Sequence, residues 1–245
     1  MTILQIDGSL DSVFCALFIA FTNKLSHAKL SCGNHQLSLT DTTIRVTTDR
    51  AQAERISRAL VRYGGNRLLF ECETAMRSGD ENKYEVIFRY LHRVLLQRSS
   101  LKNMLALAEV IDFERLLKRI WCEVHRFHGF IRFSRSVCGT YYAPFSPDHD
   151  VTELLLPHFS SRYPSMPFAI HDVKRGKIGV WNGKDYAVFD CDMTPSFFLS
   201  EDEQALADLW KTYYDAVTVR ERPHEKQMLG YMPRRYWKYL TEKSR

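Results

Sequence analysis

YYAPFSPDHD (141–150), LLLPHFSSRYP (154–164) and AIHDVKRGKIGVWNGKDYAVF (169–189) decide the fold of this chain. Short apolar and aromatic runs bounded by Gly, Pro, Asn and Asp read as strands, here over 141–145, 168–172, 177–181 and 186–189. Asn182-Gly183 between the last two is hairpin chemistry, since both residues tolerate a positive φ. Between the first two, Asp150 with Glu153 resembles a capping box that opens a short helix, and Pro157 must kink that helix or begin a new turn. GFIRF (129–133) adds a strand over 130–133. The C-terminal half is therefore expected to hold a mostly antiparallel sheet covered by helices.

Upstream the pattern is mainly helical. Residues 1–6 alternate as a strand, Asp7-Gly8-Ser9 is turn chemistry, and 10–22 is an apolar helix. A β-branched run over 42–48 predicts another strand. Asp49 then has the chemistry of an N-cap for an amphipathic helix that buries Ala53, Ile56, Leu60 and Val61, and Gly64-Gly65 should stop it. Further helices are expected over 68–77, 82–97 and 112–128. At about 100° per residue, the last of these places Leu116, Leu117, Ile120, Trp121, Val124 and Phe127 on one arc and Arg115, Arg119, Cys122 and Arg126 opposite, with His125 at the border and Gly129 as C-terminal cap. A final helix over 200–218 carries Leu206, Leu209, Trp210 and Tyr213, opened by a second capping box from Ser200 and Glu203, before an irregular basic tail. The fold class is α+β, as one large domain of 245 residues or as two lobes, 1–100 and 101–245, dividing near 99–103.

With 45% apolar and 13% aromatic residues the chain can bury a sizeable core, which excludes a disordered class. Six scattered cysteines without a CxxC pair give no zinc ribbon, cluster or disulfide framework, so a reducing cytoplasm is the expected setting. The apolar run over 13–21 lacks a basic flank, follows Asp7 and Asp11, and is too short for a bilayer, so no membrane association is expected. Residues 220–245 hold eight Lys or Arg against three Asp or Glu, which accounts for the whole net charge of +5. Residues 114–135 are also basic, and the rest of the chain is acidic. Such segregation suits a polyanion, and equally a solvated basic surface.

Chemistry-bearing residues concentrate between 129 and 176. His149 stands between Asp148 and Asp150, whose carboxylates could raise its pKa or share a metal with it, although the same residues suit helix initiation. His158 and Arg162 are four apart on one helix face and could grip a phosphate, completed by His171, Asp172, Lys174 and Arg175; the bland alternative is a surface Arg–Asp pair and a basic turn. His149, His158, His171 and Asp172 are thus the candidate catalytic set, but their spacing matches no familiar metal-ligand pattern, and no metal or cofactor is expected. GxSxG, GxxxxGK[ST] and GxGxxG are all missing. In the tail, MPRRYWKYL (232–240) interleaves Arg234, Arg235 and Lys238 with Tyr236, Trp237 and Tyr239. Cations neutralise phosphate and aromatic faces stack on unpaired bases, which suits single-stranded or distorted nucleic acid. Alternatively Tyr236, Trp237 and Leu240 anchor the tail on the core.

IDGSLDSVFCALF near the start, EVHRFHGFIRF, YYAPFSPDH, PHFSSRYP, IHDVKRG and the tail ERPHEKQMLGYMPRRYWKYL together resemble an uncharacterised bacterial family of DNA metabolism and DNA repair proteins. The resemblance spans nearly the whole chain. It implies genomic pairing with a radical S-adenosylmethionine (radical-SAM) protein of DNA modification or repair, and fusion in some members to a uracil-DNA-glycosylase-like domain. Neither a glycosylase water-activating motif nor the CxxxCxxC of a radical-SAM cluster is present here, so a partner would supply such chemistry. The resemblance implies a cytoplasmic factor that binds single-stranded, damaged or modified DNA and acts with that partner. Arg126, Arg132, Arg162, Lys174, Arg175, Arg234 and Arg235 would contact phosphate, with Tyr236 and Trp237 stacking on bases. The alternatives are a nucleic-acid-processing or phosphate-directed hydrolase using the His/Asp set, and a protein-binding adaptor.

Overall fold

The computed structural model describes residues 2–25, 28–33, 42–137, 139–191, 200, 202–218 and 225–243, and the chain divides into two units, Met1–Ile120 and Trp121–Arg245. The first unit is built on β1 (Thr2–Ile6), β2 (Lys29–Cys32) and β3 (Thr42–Arg45), a parallel sheet in the order β2-β1-β3. The turn after β1 is stabilised by its own side chains. Asp7 accepts from the Ser9 amide and hydroxyl and from the Thr48 hydroxyl, which hold its carboxyl far below the usual carboxylate range. Ser9 in turn caps helix α1 (Leu10–Thr22) by accepting from the Ser12 amide. Helix α2 (Arg50–Met76) is capped as expected, Asp49 accepting from the Gln52 amide at 2.9 Å.

Leu4, Val13, Leu17, Leu60, Leu68 and Cys72 form the core of this unit with Ile87 and Leu91 of α3 (Lys83–Gln97). Burial pushes the Cys72 thiol up to about 12, so it is an inert core group. β2 was not anticipated from the sequence. Of its four residues, Ser31 is the buried one, so no apolar alternation marks the strand. β3 is shorter than the expected 42–48, although the Val46 amide still donates to the Gln5 carbonyl.

Helix α4 (Ala108–Phe130) runs from the first unit into the second. It is longer than the expected 112–128 and passes through Gly129, so 130–133 is not a strand. The reason lies in Arg132, whose guanidinium takes the Gly129 and Ile131 carbonyls and satisfies the helix end in place of a glycine cap. Trp121, drawn on the buried arc, is exposed. The second unit continues with β4 (Ser134–Arg135), β5 (Tyr141–Phe145), α5 (Thr152–Arg162), β6 (Phe168–Asp172), β7 (Lys177–Trp181) and β8 (Tyr186–Asp190). Its sheet has the order β4-β5-β6-β7-β8, with β5–β6 parallel and the other pairs antiparallel. Parallel neighbours need a crossover, and α5 supplies it. The chain is α+β, its C-terminal sheet mostly antiparallel. The Asn182 side chain accepts from the Lys184 and Asp185 amides and Gly183 has φ 96°, which closes the expected hairpin.

Both expected capping boxes are replaced by longer-range pairs. Val151 is the N-cap of α5 without a side-chain bond, because Asp150 is drawn to Lys177 at 2.5 Å. Pro157 is accommodated inside α5. Glu203 accepts from the Arg135 amide at 2.6 Å and so binds the edge of β4 instead of closing on Ser200. Helix α6 (Asp202–Val217) leaves Leu206, Leu209, Tyr213 and Val217 exposed. The tail, expected to be irregular, forms α7 (Glu225–Tyr231) and a 3₁₀ helix over Arg234–Tyr239.

Gly64-Gly65 breaks α2 as expected. Gly65 adopts φ 74°, ψ 177°, a region nearly closed to residues with a Cβ. Gly65→Ala is predicted to destabilise the protein by about 1–3 kcal/mol, read from urea unfolding, even though an added methyl would meet nothing within 4 Å.

Candidate functional site

The second unit is organised around a residue that sequence reading missed. Glu123 lies on the inner face of α4, three residues after Ile120 and four before Phe127, and is 3% exposed. A carboxylate in such a place must be hydrogen-bonded. Its Oε1 accepts from the Tyr236 hydroxyl at 2.7 Å and from the Asp148 amide at 2.9 Å, and its Oε2 accepts from the His149 amide at 2.8 Å. One side chain thus fixes both the loop after β5 and the C-terminal 3₁₀ helix. Tyr236 is 1% exposed, packed on Phe127 at 4.7 Å, and burial together with Glu123 raises its phenol pKa well above the usual value. The signal was available: a lone Glu at helical spacing among Ile120, Val124 and Phe127 is a buried acid awaiting donors.

The same loop is held from β6. Asp172 is fully buried, accepts from the Lys174 and Arg175 amides, and pairs with the Arg175 guanidinium at 2.8 Å. Burial raises its carboxyl pKa and the Arg175 pairing opposes that rise. Arg175 also donates to the Pro147 and Asp148 carbonyls, while Arg235 pairs with the Asp148 carboxylate at 2.7 Å and lies over the Tyr236 ring. Loop 146–150 is therefore fastened by Glu123, Arg175, Lys177 and Arg235 together.

The expected catalytic histidines do not meet. In β6, Ile170 faces α5, because it pairs with Gly179 and the space above Gly179 is filled by Leu156 and Thr152. Strand alternation puts Asp172 on that face and His171 on the other. His171 is 2% exposed there, its Nδ1 2.7 Å from the Tyr142 hydroxyl, whose pKa burial pushes up to about 12. His158 belongs to α5 and stacks on His128 of α4 at 3.8 Å and 12°. Neither Nε2 of that stack has a hydrogen-bond partner, nor has Nε2 of His171. Parallel rings cannot aim their in-plane lone pairs at one metal ion. Among the described residues, no group of three or more His, Cys, Asp and Glu is arranged to hold a metal. His149 enters through its backbone amide.

The expected phosphate-binding cations separate into two sets. Arg132 pairs with Glu242 at 2.7 Å and lies over Trp210, and Arg175 and Arg235 are engaged as above. These three maintain the fold. Arg126 donates to the Gly230 carbonyl, and Arg162 donates to the Tyr163 hydroxyl rather than joining His158. Arg162, Lys174 and Arg234 are exposed, with Arg234 5.8 Å from the Trp237 ring centre. Buried Tyr236 offers no face to a base, a correction to its expected stacking role, whereas Trp237 is half-buried and donates to the Met232 carbonyl.

An α+β protein whose C-terminal 3₁₀ helix is tethered to a buried carboxylate is thus defined by its geometry. The chain belongs to the family described as a domain of unknown function, DUF4130, whose model matches residues 81–242. No curated protein and no solved structure matches the chain. Among the described residues, no helix is long and apolar enough to cross a membrane.

Tyr236→Phe is predicted to cost about 1.5–3 kcal/mol, the range for a hydrogen bond to a charged group. Glu123→Ala should cost more, since it also strands the Asp148 and His149 amides; urea unfolding of the two variants measures both. The His128–His158 stack makes stability pH-dependent. Burial, then His158 and His125, lowers the His128 pKa below the ordinary histidine value. The unfolded chain therefore binds more protons as pH falls through that value, and stability present above it is lost below. The urea midpoint should drop between about pH 7 and pH 5, and drop less in His128→Phe.

Proposed function

We propose that this protein is a DNA metabolism or repair factor. Its C-terminal unit binds single-stranded, damaged or modified DNA and presents it to a radical-SAM partner, which supplies the covalent chemistry. One observation supports this reading above the others. The 3₁₀ helix Arg234–Tyr239 buries Tyr236 and, with Leu240, anchors the tail, which turns Arg234 and Lys238 outward. Each of these cations lies over an aromatic ring, Arg234 over Trp237 and Lys238 over Tyr239 at 5.4 Å, and Lys243 also lies over Trp237 at 5.1 Å. Cation–π contact orders a long side chain at the surface, and exposed cations attract the phosphates of a nucleic acid. Arg126 of α4 donates to the Gly230 carbonyl, which adds one more cation beside this tail.

The hydrolase alternative has less support, because His158 and His171 lie on opposite faces of the sheet. The adaptor alternative is favoured by the exposed Leu206, Leu209, Tyr213 and Val217 on α6, with Leu209 66% exposed. The DNA and adaptor readings differ in a direct measurement. Fluorescence anisotropy with single-stranded DNA should give an affinity that falls steeply with salt. Arg234→Gln with Lys238→Gln should lower the log–log slope by about 1.4, at about 0.7 per lost phosphate contact. An absence of binding at low salt, or a slope unchanged by the double variant, overturns the DNA reading. Retention of the radical-SAM partner from nuclease-treated lysate by a protein that binds no DNA would leave the adaptor.

A further inference from the structure

In the first unit, a cavity of about 330 Å³ opens between Leu25 and Ala28, one side of α3 and the first turn of α4. It is lined by Leu25, Ala28, Phe88, Leu96 and His92, and by Arg89, Arg93 and Glu109. Its two sides differ in chemistry. At about 100° per residue, Phe88, His92 and Leu96 form one stripe of α3, next to the apolar Leu25 and Ala28. Arg89 and Arg93 form the adjoining stripe, next to the acidic start of α4. Arg93 holds the Glu109 carboxylate at 3.0 Å, whereas Arg89 reaches Asp112 at 3.7 Å, an ion pair without a hydrogen bond. Glu109 stays ionised, its pKa lowered by its own backbone amide and by Arg93. His92, within the first stripe, is fixed by stacking on Phe21 at 4.8 Å and Phe88 at 5.9 Å, and burial, then Arg93, lowers its pKa below the ordinary histidine value.

The site therefore offers guanidinium donors beside a carboxylate at one end and an apolar wall at the other. A simple anion would meet Glu109 as well as the arginines, and a simple cation the reverse. A nucleobase carries polar groups around its whole edge, which the split between the stripes does not match. A ligand with a dipolar head and an apolar body matches both ends. We infer that this cleft binds a small apolar α-amino acid, its carboxylate on the Arg89 guanidinium, its ammonium on Glu109, and its side chain against Phe88, Leu96, Leu25 and Ala28. The volume stands at the small end of the range for ligand sites, which suits a single amino acid better than a nucleotide.

The test uses no DNA and is independent of the nucleic-acid reading. Isothermal titration of the full chain with L-phenylalanine and L-leucine should show saturable binding. Phenylpropanoate, which lacks the ammonium, and phenethylamine, which lacks the carboxylate, should each bind at least tenfold more weakly than L-phenylalanine. Arg89→Gln and Leu96→Gln, both substitutions of exposed residues that leave the fold intact, should each weaken L-phenylalanine binding about tenfold, which is about 1.4 kcal/mol. The assignment is overturned if neither amino acid binds at millimolar concentration, if either half-ligand binds as tightly as L-phenylalanine, or if both variants bind it unchanged.

Discussion

A single buried carboxylate governs the second unit. Glu123 cannot be desolvated without donors, and those it takes come from two places far apart in sequence, the amides after β5 and the hydroxyl of Tyr236. The C-terminal segment is therefore not an appendage. Its 3₁₀ helix completes the hydrogen bonding of a core acid, and the aromatic contacts of Tyr236 with Phe127 follow from that position. Asp172 with Arg175 repeats the device from the strand side, so that loop 146–150 is clamped by ionic and backbone bonds rather than by its own turn chemistry.

These ties sort the basic residues. A guanidinium that holds two carbonyls and a carboxylate, as Arg175 does, has its geometry and charge committed to the fold. The same holds for Arg132, which takes the Gly129 and Ile131 carbonyls and the Glu242 carboxylate, whereas Arg235 makes a half-exposed pair with Asp148. The outward set on the tail, Arg234 and Lys238, is ordered instead by contact with aromatic rings. The aromatic residues of MPRRYWKYL accordingly divide their work: Tyr236 anchors, while Trp237 and Tyr239 support cations.

Much of the fold was legible because its signals are local. Asp7-Gly8-Ser9 makes the expected turn, Asp49 caps the helix its chemistry predicts, Gly65 breaks α2, and the strands 141–145, 168–172 and 177–181 match the apolar runs. Elements lacking local signals were missed. β2 is a polar edge strand with one buried residue, and Gly129 has the look of a cap until Arg132 supplies the missing donors. Asp150 and Glu203 carried correct capping signals that were outcompeted by Lys177 and by the Arg135 amide. The candidate site was less legible than the fold. His158 and His171 are close in sequence, yet the crossover and strand alternation send them to opposite faces.

By itself the sequence determined the α+β class, the order of most elements, the basic tail and the pool of residues from which a site could be drawn, because periodicity, caps and charge are properties of neighbouring residues. Tertiary structure decided which of those residues are spent on the fold. Whether Arg175, Arg235 or Tyr236 is held in the fold depends on partners more than twenty residues away, the Pro147 carbonyl, the Asp148 carboxylate and Glu123, and for Glu123 on the burial that makes leaving an acid unpaired so costly.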